Sequence, residues 1–167
     1  LKEGLGSLVL FSSWRQLYRI TEALPDELLT RVMSQGSHSK AEIVAQHKRK
    51  VDAGEQSVIF GLASFSEGID LPGDYCTHVV IIKIPFAVPD DPVGATLSEW
   101  IEGNGGNSFQ EIMIPDAALR MVQSCGRLLR TENDTGTVTI LDRRLVTQRY
   151  GNLILDALPP FRREIER

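Results

Sequence analysis

Cysteine is scarce in this 167-residue sequence: only Cys76 and Cys125, far apart and in no C-x-x-C pair. The three histidines, His38, His47 and His78, stand at no ligand spacing either. A disulfide framework and a Cys/His zinc site are therefore not expected, and the reading is two reduced thiols and no metal. No apolar run nears the roughly 18 residues that cross a bilayer, and the first residues lack the basic-then-apolar order of a signal peptide. A cytoplasmic protein without membrane contact is the expectation. An excess of positive charge is missing too. The formal net charge of −4 argues against binding nucleic acid over the whole surface but leaves room for a local basic groove. Nor is there a G-x-x-x-x-G-K-[ST] loop to cradle phosphates. The piece Gly103-Asn104-Gly105-Gly106 lacks that ending and follows no apolar strand, so it reads as a flexible surface connection.

What is present is ordinary globular composition, 42% hydrophobic and 24% charged, enough for one domain with a sizeable core. Apolar runs at Ser7 to Phe11 and Ser57 to Leu62 predict strands buried on both faces, and His78 to Ile84 and Thr137 to Leu141 read as two further strands. Leu28 to Met33 reads as a further short strand. Between them, Trp14, Leu17, Tyr18 and Ile20 predict a helix, and Ser39 with Glu42 forms a capping box for another that runs to about Val51. The segment Phe86 to Pro92 reads as irregular, Leu97 to Ile101 as a helix, and Leu153, Ile154, Leu155 and Leu158 as a closing helix. Strands alternating with helices predict a RecA-like three-layer α/β domain, a mostly parallel sheet with helices on both faces. One domain over residues 1–167 is expected, with an irregular or helical insertion at about 85–115.

Three stretches carry chemistry. Ser12 and Ser13 follow the first strand, at the edge where open α/β sheets bind ligands, with Arg15 beside them; the same serines serve equally well as a plain helix cap. Ala63 to Asp74 (ASFSEGIDLPGD) follows the Ser57–Leu62 run. Its small residues let backbone amides approach an anion, and its carboxylates accept from ribose hydroxyls or orient an arginine; otherwise it is an acidic turn. On the helix around Leu119 to Thr131, Ala118, Val122, Cys125 and Leu129 share a core stripe, while Gln123, Arg127 and Arg130 share the opposite face. Gly126 beside them suggests that something approaches the backbone there, since glycine within a helix costs about 1 kcal/mol against alanine. A solvated polar face is the plainer alternative for such a pair of arginines.

In order along the chain, SLVLFSSW resembles helicase motif IV, ASFSEGIDLPGD motif V, and QSCGRLLR motif VI of superfamily 2 helicases. With Ile82-Lys83-Ile84-Pro85-Phe86, Asp90-Asp91-Pro92, Leu141-Asp142-Arg143, Tyr150-Gly151 and Leu158-Pro159, the chain is similar to the second motor lobe of the DinG branch of XPD-like DNA helicases. The resemblance implies a bacterial, nucleoid-associated protein and ATP with Mg²⁺ held mainly by an N-terminal lobe. The iron-sulfur cluster usual in that first lobe is not expected here, because two cysteines cannot build one. It implies catalytic roles for Arg127, Arg130 and Gln123, and a nucleotide cleft bordered by Glu67, Gly68, Asp70 and Gly126. It also implies a grip on single-stranded DNA, within forked or structured DNA, by Ser12, Ser13, Arg15, Ser64 and Phe65. A stand-alone nucleotide-binding or regulatory module accounts for the sheet, but predicts an internal phosphate loop. A protein-interaction domain accounts for Phe86 to Gly106 and leaves the arginines unexplained.

Overall fold

The structure is a computed structural model that describes residues 4–87, 92–128 and 135–165. The chain divides into two compact units, Leu1–Lys83 with Ser124–Asp142 and Ile84–Gln123 with Arg143–Arg167. The first unit holds the sheet. Its strands are β1 (Gly6–Phe11), β2 (Val32–Ser34), β3 (Ser57–Leu62), β4 (His78–Ile81) and β5 (Thr137–Ile140). They lie in the order β2-β3-β1-β4-β5, every neighbouring pair parallel. One cross-strand row shows why the apolar runs are continuous. Ile59, Leu8 and Val79 pair side by side at the sheet centre and are wholly buried, with Met33 continuing the row on the outer strand.

Because side chains alternate across a strand, β1 and β3 feed two separate cores. On one face Phe11, Phe60 and Leu17 cluster with Val9, Val58, Ile20 and Leu24. The rings of Phe11 and Phe60 meet edge to face, centroids 5.0 Å apart. Leu17 comes from α1 (Trp14–Ala23), whose cap is Ser13: extended backbone, with the hydroxyl accepting from the Gln16 amide at 3.3 Å. The other face receives α3 (Lys40–Asp52), which buries Ile43, His47 and Val51 at four-residue spacing. Ser39 caps it, accepting from the Glu42 amide as its sequence predicts.

His47 fastens this second face. Its Nε2 donates to the Tyr75 carbonyl at 2.7 Å, and its Nδ1 accepts from the buried Ser57 hydroxyl at 2.8 Å. A carbonyl only accepts, so Nε2 carries the hydrogen, and burial, which disfavours the charged ring, leaves Nδ1 to accept from Ser57. Burial lowers the pKa of His47, partly opposed by the carbonyl contact, and nearby Lys48 lowers it further. Tyr75 in turn carries Lys48 over its ring and donates to Asp52.

Two sequence expectations are corrected here. Leu28 to Met33 is not a strand. Pro25 and the acidic first turn of Asp26 and Glu27 start a short helix, α2 (Asp26–Leu29), and only Val32–Ser34 pairs in the sheet. The strand expected over His78 to Ile84 ends at Ile81, because its partner β1 stops pairing with it at Leu10.

The second unit is helical: α4 (Pro92–Gly103), α5 (Ile114–Cys125, in this unit as far as Gln123), α6 (Arg144–Thr147) and α7 (Arg149–Ala157). Phe86, Phe109 and Tyr150 form a closed aromatic trio with centroids 5.4 to 5.7 Å apart, and Arg144 lies over Phe86. Gly103 to Gly106, expected to be a loose connection, is a bonded turn. The Gly106 amide donates to Ile101 and the Asn104 amide to Trp100 and Ile101. No helix among the described residues is long and apolar enough to cross a membrane.

The His47 bonds give a pH prediction. A folded-state pKa below the free value means that the unfolded chain binds protons more readily, so stability is held above pH 6.5 and falls as pH drops through the lowered folded value. His78, also lowered by burial, contributes with the same sign. The thermal midpoint should therefore fall on acidification from pH 7, and His47→Gln should remove part of that slope. An unchanged slope in the variant would refute this account.

Candidate functional site

Parallel register decides which loops are neighbours. Phe11 pairs with Leu62 at the last rung of β1 and β3, so Ser12 and Ala63 leave the sheet side by side at its carboxyl edge. Ser12, Ser13 and Arg15 are all exposed there. Ser13 is occupied as the α1 cap, and the Ser12 hydroxyl donates to the Gln16 side chain at 3.2 Å. Both readings of the serine pair thus remain compatible in one place: a cap that faces solvent.

The stretch after β3 alternates anchors with exposed groups. Ala63–Ser66 forms a 3₁₀ turn closed by the Ser66 hydroxyl, which donates to the Ala63 carbonyl at 2.6 Å. Phe65, Ile69 and Leu71 are buried, whereas Ser64, Glu67, Gly68 and Asp70 are exposed. Phe65 is therefore placed beneath the loop and not on its outer side. It lies over Gly61, where an added Cβ would come within 2.6 Å of the ring. Gly68 turns the chain with φ +71°, a conformation that L side chains rarely adopt.

Three side chains from elsewhere in the unit hold this loop by its backbone. Gln35 Oε1 accepts from the Leu62 amide at 2.8 Å. Lys40 donates to the Glu67 carbonyl and stands 5.2 Å from the centre of the Phe65 ring. Arg127 Nη1 donates to the Ile69 carbonyl at 3.3 Å, next to Asp70. The last contact joins two stretches that are 58 residues apart in sequence. Sequence reasoning missed Gln35 and Lys40. The available signal for Lys40 was a cation in the first turn of a helix, where the dipole disfavours it.

The helix bearing Arg127 differs from its sequence wheel. Ala117, Ala118, Met121, Cys125 and Leu128 are its buried face, with Ser124 beside them. Ala118 and Cys125 are as expected, but Val122 is only half-buried and Met121 takes the core position. Leu129 and Arg130 lie outside the described residues. The reason is the helix end. After Cys125 the chain tightens, with Arg127 donating to the Ser124 carbonyl and Leu128 to that of Cys125. At three residues per turn, Leu128 eclipses Cys125 and enters the core. Gly126 is consequently exposed in a turn just past the helix, not inside it. Gln123 is exposed on the last turn of α5 and belongs to the other unit. Burial pushes the Cys125 thiol up to about 11, which leaves it protonated and inert at neutral pH. Among the described residues no group of three or more His, Cys, Asp and Glu is placed to hold a metal.

Comparison with known proteins agrees with this layout. The family model of the helicase C-terminal domain matches residues 2–161. The ATP-dependent DNA helicase DinG of Photobacterium profundum is 45% identical over 99% of this chain and 24% of its own length. DinG of Escherichia coli K12 is 41% identical over 96% of this chain and 22% of its own. The chain thus spans about a quarter of the length of these relatives. Two solved structures, one of apo XPD and one of XPD helicase, superpose with TM-scores of 0.68 at 22% and 20% identity. They cover 90% and 93% of this chain and 30% and 28% of their own, and at that identity they speak to fold alone: the sheet and helices are RecA-like. With a family model spanning nearly all of the sequence, the chain belongs to the helicase C-terminal domain family, and the DinG relatives are more than 40% identical to it.

Proposed function

We propose that this chain is the second motor lobe of an ATP-dependent DNA helicase, the whole of residues 1–167 acting as one lobe with the helical segment as an elaboration of the RecA-like unit. The observation that carries the proposal is the bond from Arg127 to the Ile69 carbonyl, because it places a guanidinium of the Q-x-x-G-R-x-x-R stretch against the S-x-x-E-G-x-D loop. In this reading ATP and Mg²⁺ are held by an N-terminal lobe, where the family also keeps its iron-sulfur cluster. Glu67, Gly68, Asp70 and Gly126 border the cleft from this side.

Phosphoryl transfer needs positioning and charge stabilisation more than covalent help from the protein. Arg127 and Arg130 supply the charge as the bond to the γ-phosphoryl breaks, and Gln123 orients the attacking water. A half-buried arginine fixed on a backbone carbonyl has already lost much of its rotamer freedom, so less is lost when it meets phosphate oxygens. Fingers of this kind contribute about 10³ to 10⁵ in rate. Since they meet ATP only when lobes close, hydrolysis times the closing and opening. Ser12, Ser13, Arg15 and Ser64, with Phe65 supporting from below, hold one strand of forked or otherwise structured DNA between steps. The adjacency of Ser12 and Ala63 across the last β1–β3 rung supports a continuous track there.

Arg127→Lys in the full-length protein keeps the charge but loses the planar fork. Turnover should fall by about 10³ with nucleotide affinity largely kept, measured by steady-state ATPase and equilibrium binding beside a matched thermal midpoint. Full DNA-stimulated turnover in the folded variant would remove Arg127 from the mechanism.

The chain on its own carries no phosphate loop, so with single-stranded DNA present it should release no phosphate from ATP above a mock purification. Turnover that co-purifies with the folded chain through a second column would overturn the half-motor reading.

Close packing under the loop yields a stability test. Gly61→Ala should push Phe65 out of place and cost about 1 to 3 kcal/mol, read from denaturant midpoints. A neutral substitution would mean that Phe65 is free to yield.

A further inference from the structure

We propose that Lys40 is a positioning residue for the Ala63 to Asp70 loop, holding it in the shape with which it faces DNA and nucleotide. The proposal rests on the function assigned above to that loop. Lys40 is the first residue of α3, directly after its Ser39 cap. A cation there opposes the positive end of the helix dipole, so local helix energetics give no reason for it. Its side chain instead reaches across to the loop, donating to the Glu67 carbonyl and covering the Phe65 ring. Both contacts are to groups that fix the loop: Phe65 is its buried anchor, and Glu67 precedes the positive-φ turn at Gly68.

The connection from β2 to α3 makes this contact part of a larger brace. Gln35 donates its amide to the Phe60 carbonyl and accepts from the Leu62 amide through its side chain, fastening the end of β3. Five residues on, Lys40 fastens the loop's far side. Arg127 then holds Ile69, two residues past Glu67. The carbonyls on either side of Gly68 are thus held by two cations from different parts of the unit. Loss of Lys40 removes the hold on the Glu67 carbonyl, and the exposed Ser64, Glu67 and Gly68 lose part of their common frame.

A positioning cation and a cation that touches DNA phosphate separate experimentally. The variants are Lys40→Met, which keeps the stem, and Lys40→Arg, which keeps a donor, each in the full-length protein. Hydrogen exchange of the peptide covering residues 63–70 should be about tenfold faster in Lys40→Met and near the parent rate in Lys40→Arg. The DNA concentration that half-saturates ATP turnover should rise about fivefold in Lys40→Met, with the salt dependence of single-strand binding keeping its slope. A slope shallower by about 0.7 would instead mark Lys40 as a direct phosphate contact and overturn the proposal. Unchanged exchange in Lys40→Met would overturn it as well, by showing that the brace does not hold the loop. Faster exchange with unaltered DNA dependence keeps the brace but refutes the role of this loop in DNA response, which is a failure of the proposed function and not of the contact.

Discussion

The site depends on β1 and β3 ending together. Their parallel pairing runs rung by rung from Gly6 with Ser57 to Phe11 with Leu62, so the two chains leave the sheet at the same height. A shift of one residue would exchange the two faces of a strand, sending Leu8 and Ile59 toward the α1 core and Phe11 and Phe60 away from it. Leu8, Ile59, Phe11 and Phe60 are all buried, which makes that shift costly. Register is therefore fixed by hydrophobic burial, and the neighbourhood of Ser12 and Ala63 is a consequence of it.

What stands on that edge is stiffened by side chains whose own positions are set elsewhere. Gln35 leaves β2, Lys40 opens α3, and Arg127 lies in a turn whose inward residue, Leu128, is buried. Each bond goes to backbone, so these three contacts leave the exposed side chains of Ser64 and Glu67 facing outward. Burial of Phe65, Ile69 and Leu71 supplies the apolar part, on the order of 1.5 to 3 kcal/mol for each large side chain fully removed from water. A loop organised this way presents hydroxyl, carboxylate and glycine backbone outward from a fixed base, which is what preorganised binding requires.

Much of the fold was legible because parallel sheets announce themselves. SLVLF and SVIFGL are apolar throughout, and only a strand covered on both sides tolerates that over five or six residues. The cap at Ser39, and one at either Ser12 or Ser13, followed from local hydrogen-bonding rules. Where the reading failed, the deciding interaction was nonlocal or terminal. Leu28 and Leu29 lead toward the apolar Val32 and Met33, but Pro25 with two acidic residues starts a helical turn before any sheet partner is reached. The core stripe of α5 was drawn at 3.6 residues per turn, and the tightened turn after Cys125 changed the period under Leu128. For the site, the approach of Arg127 to Ile69 followed from no spacing in the sequence, since the two stand 58 positions apart.

Residues at odds with their own element converge on the Ala63 to Asp70 loop. Gly61 lies inside a strand, where glycine adds backbone entropy and no packing, yet any side chain there would collide with Phe65. Gly68 takes a positive φ in a stretch otherwise free of it. Lys40 sets a positive charge at the positive end of α3. In α3 and the strands, pattern and structure agree: Ile43, His47 and Val51 keep helical spacing, and β1 and β3 alternate between two faces. Sequences that fold to one structure are locally consistent, and departures from that consistency gather at sites kept for something other than folding. Gly61, Gly68 and Lys40 come from a strand, a turn and a helix, and each departure is explained by the same eight residues of loop. Together they set Ser64, Glu67, Gly68 and Asp70 in one arrangement at the carboxyl edge of the sheet.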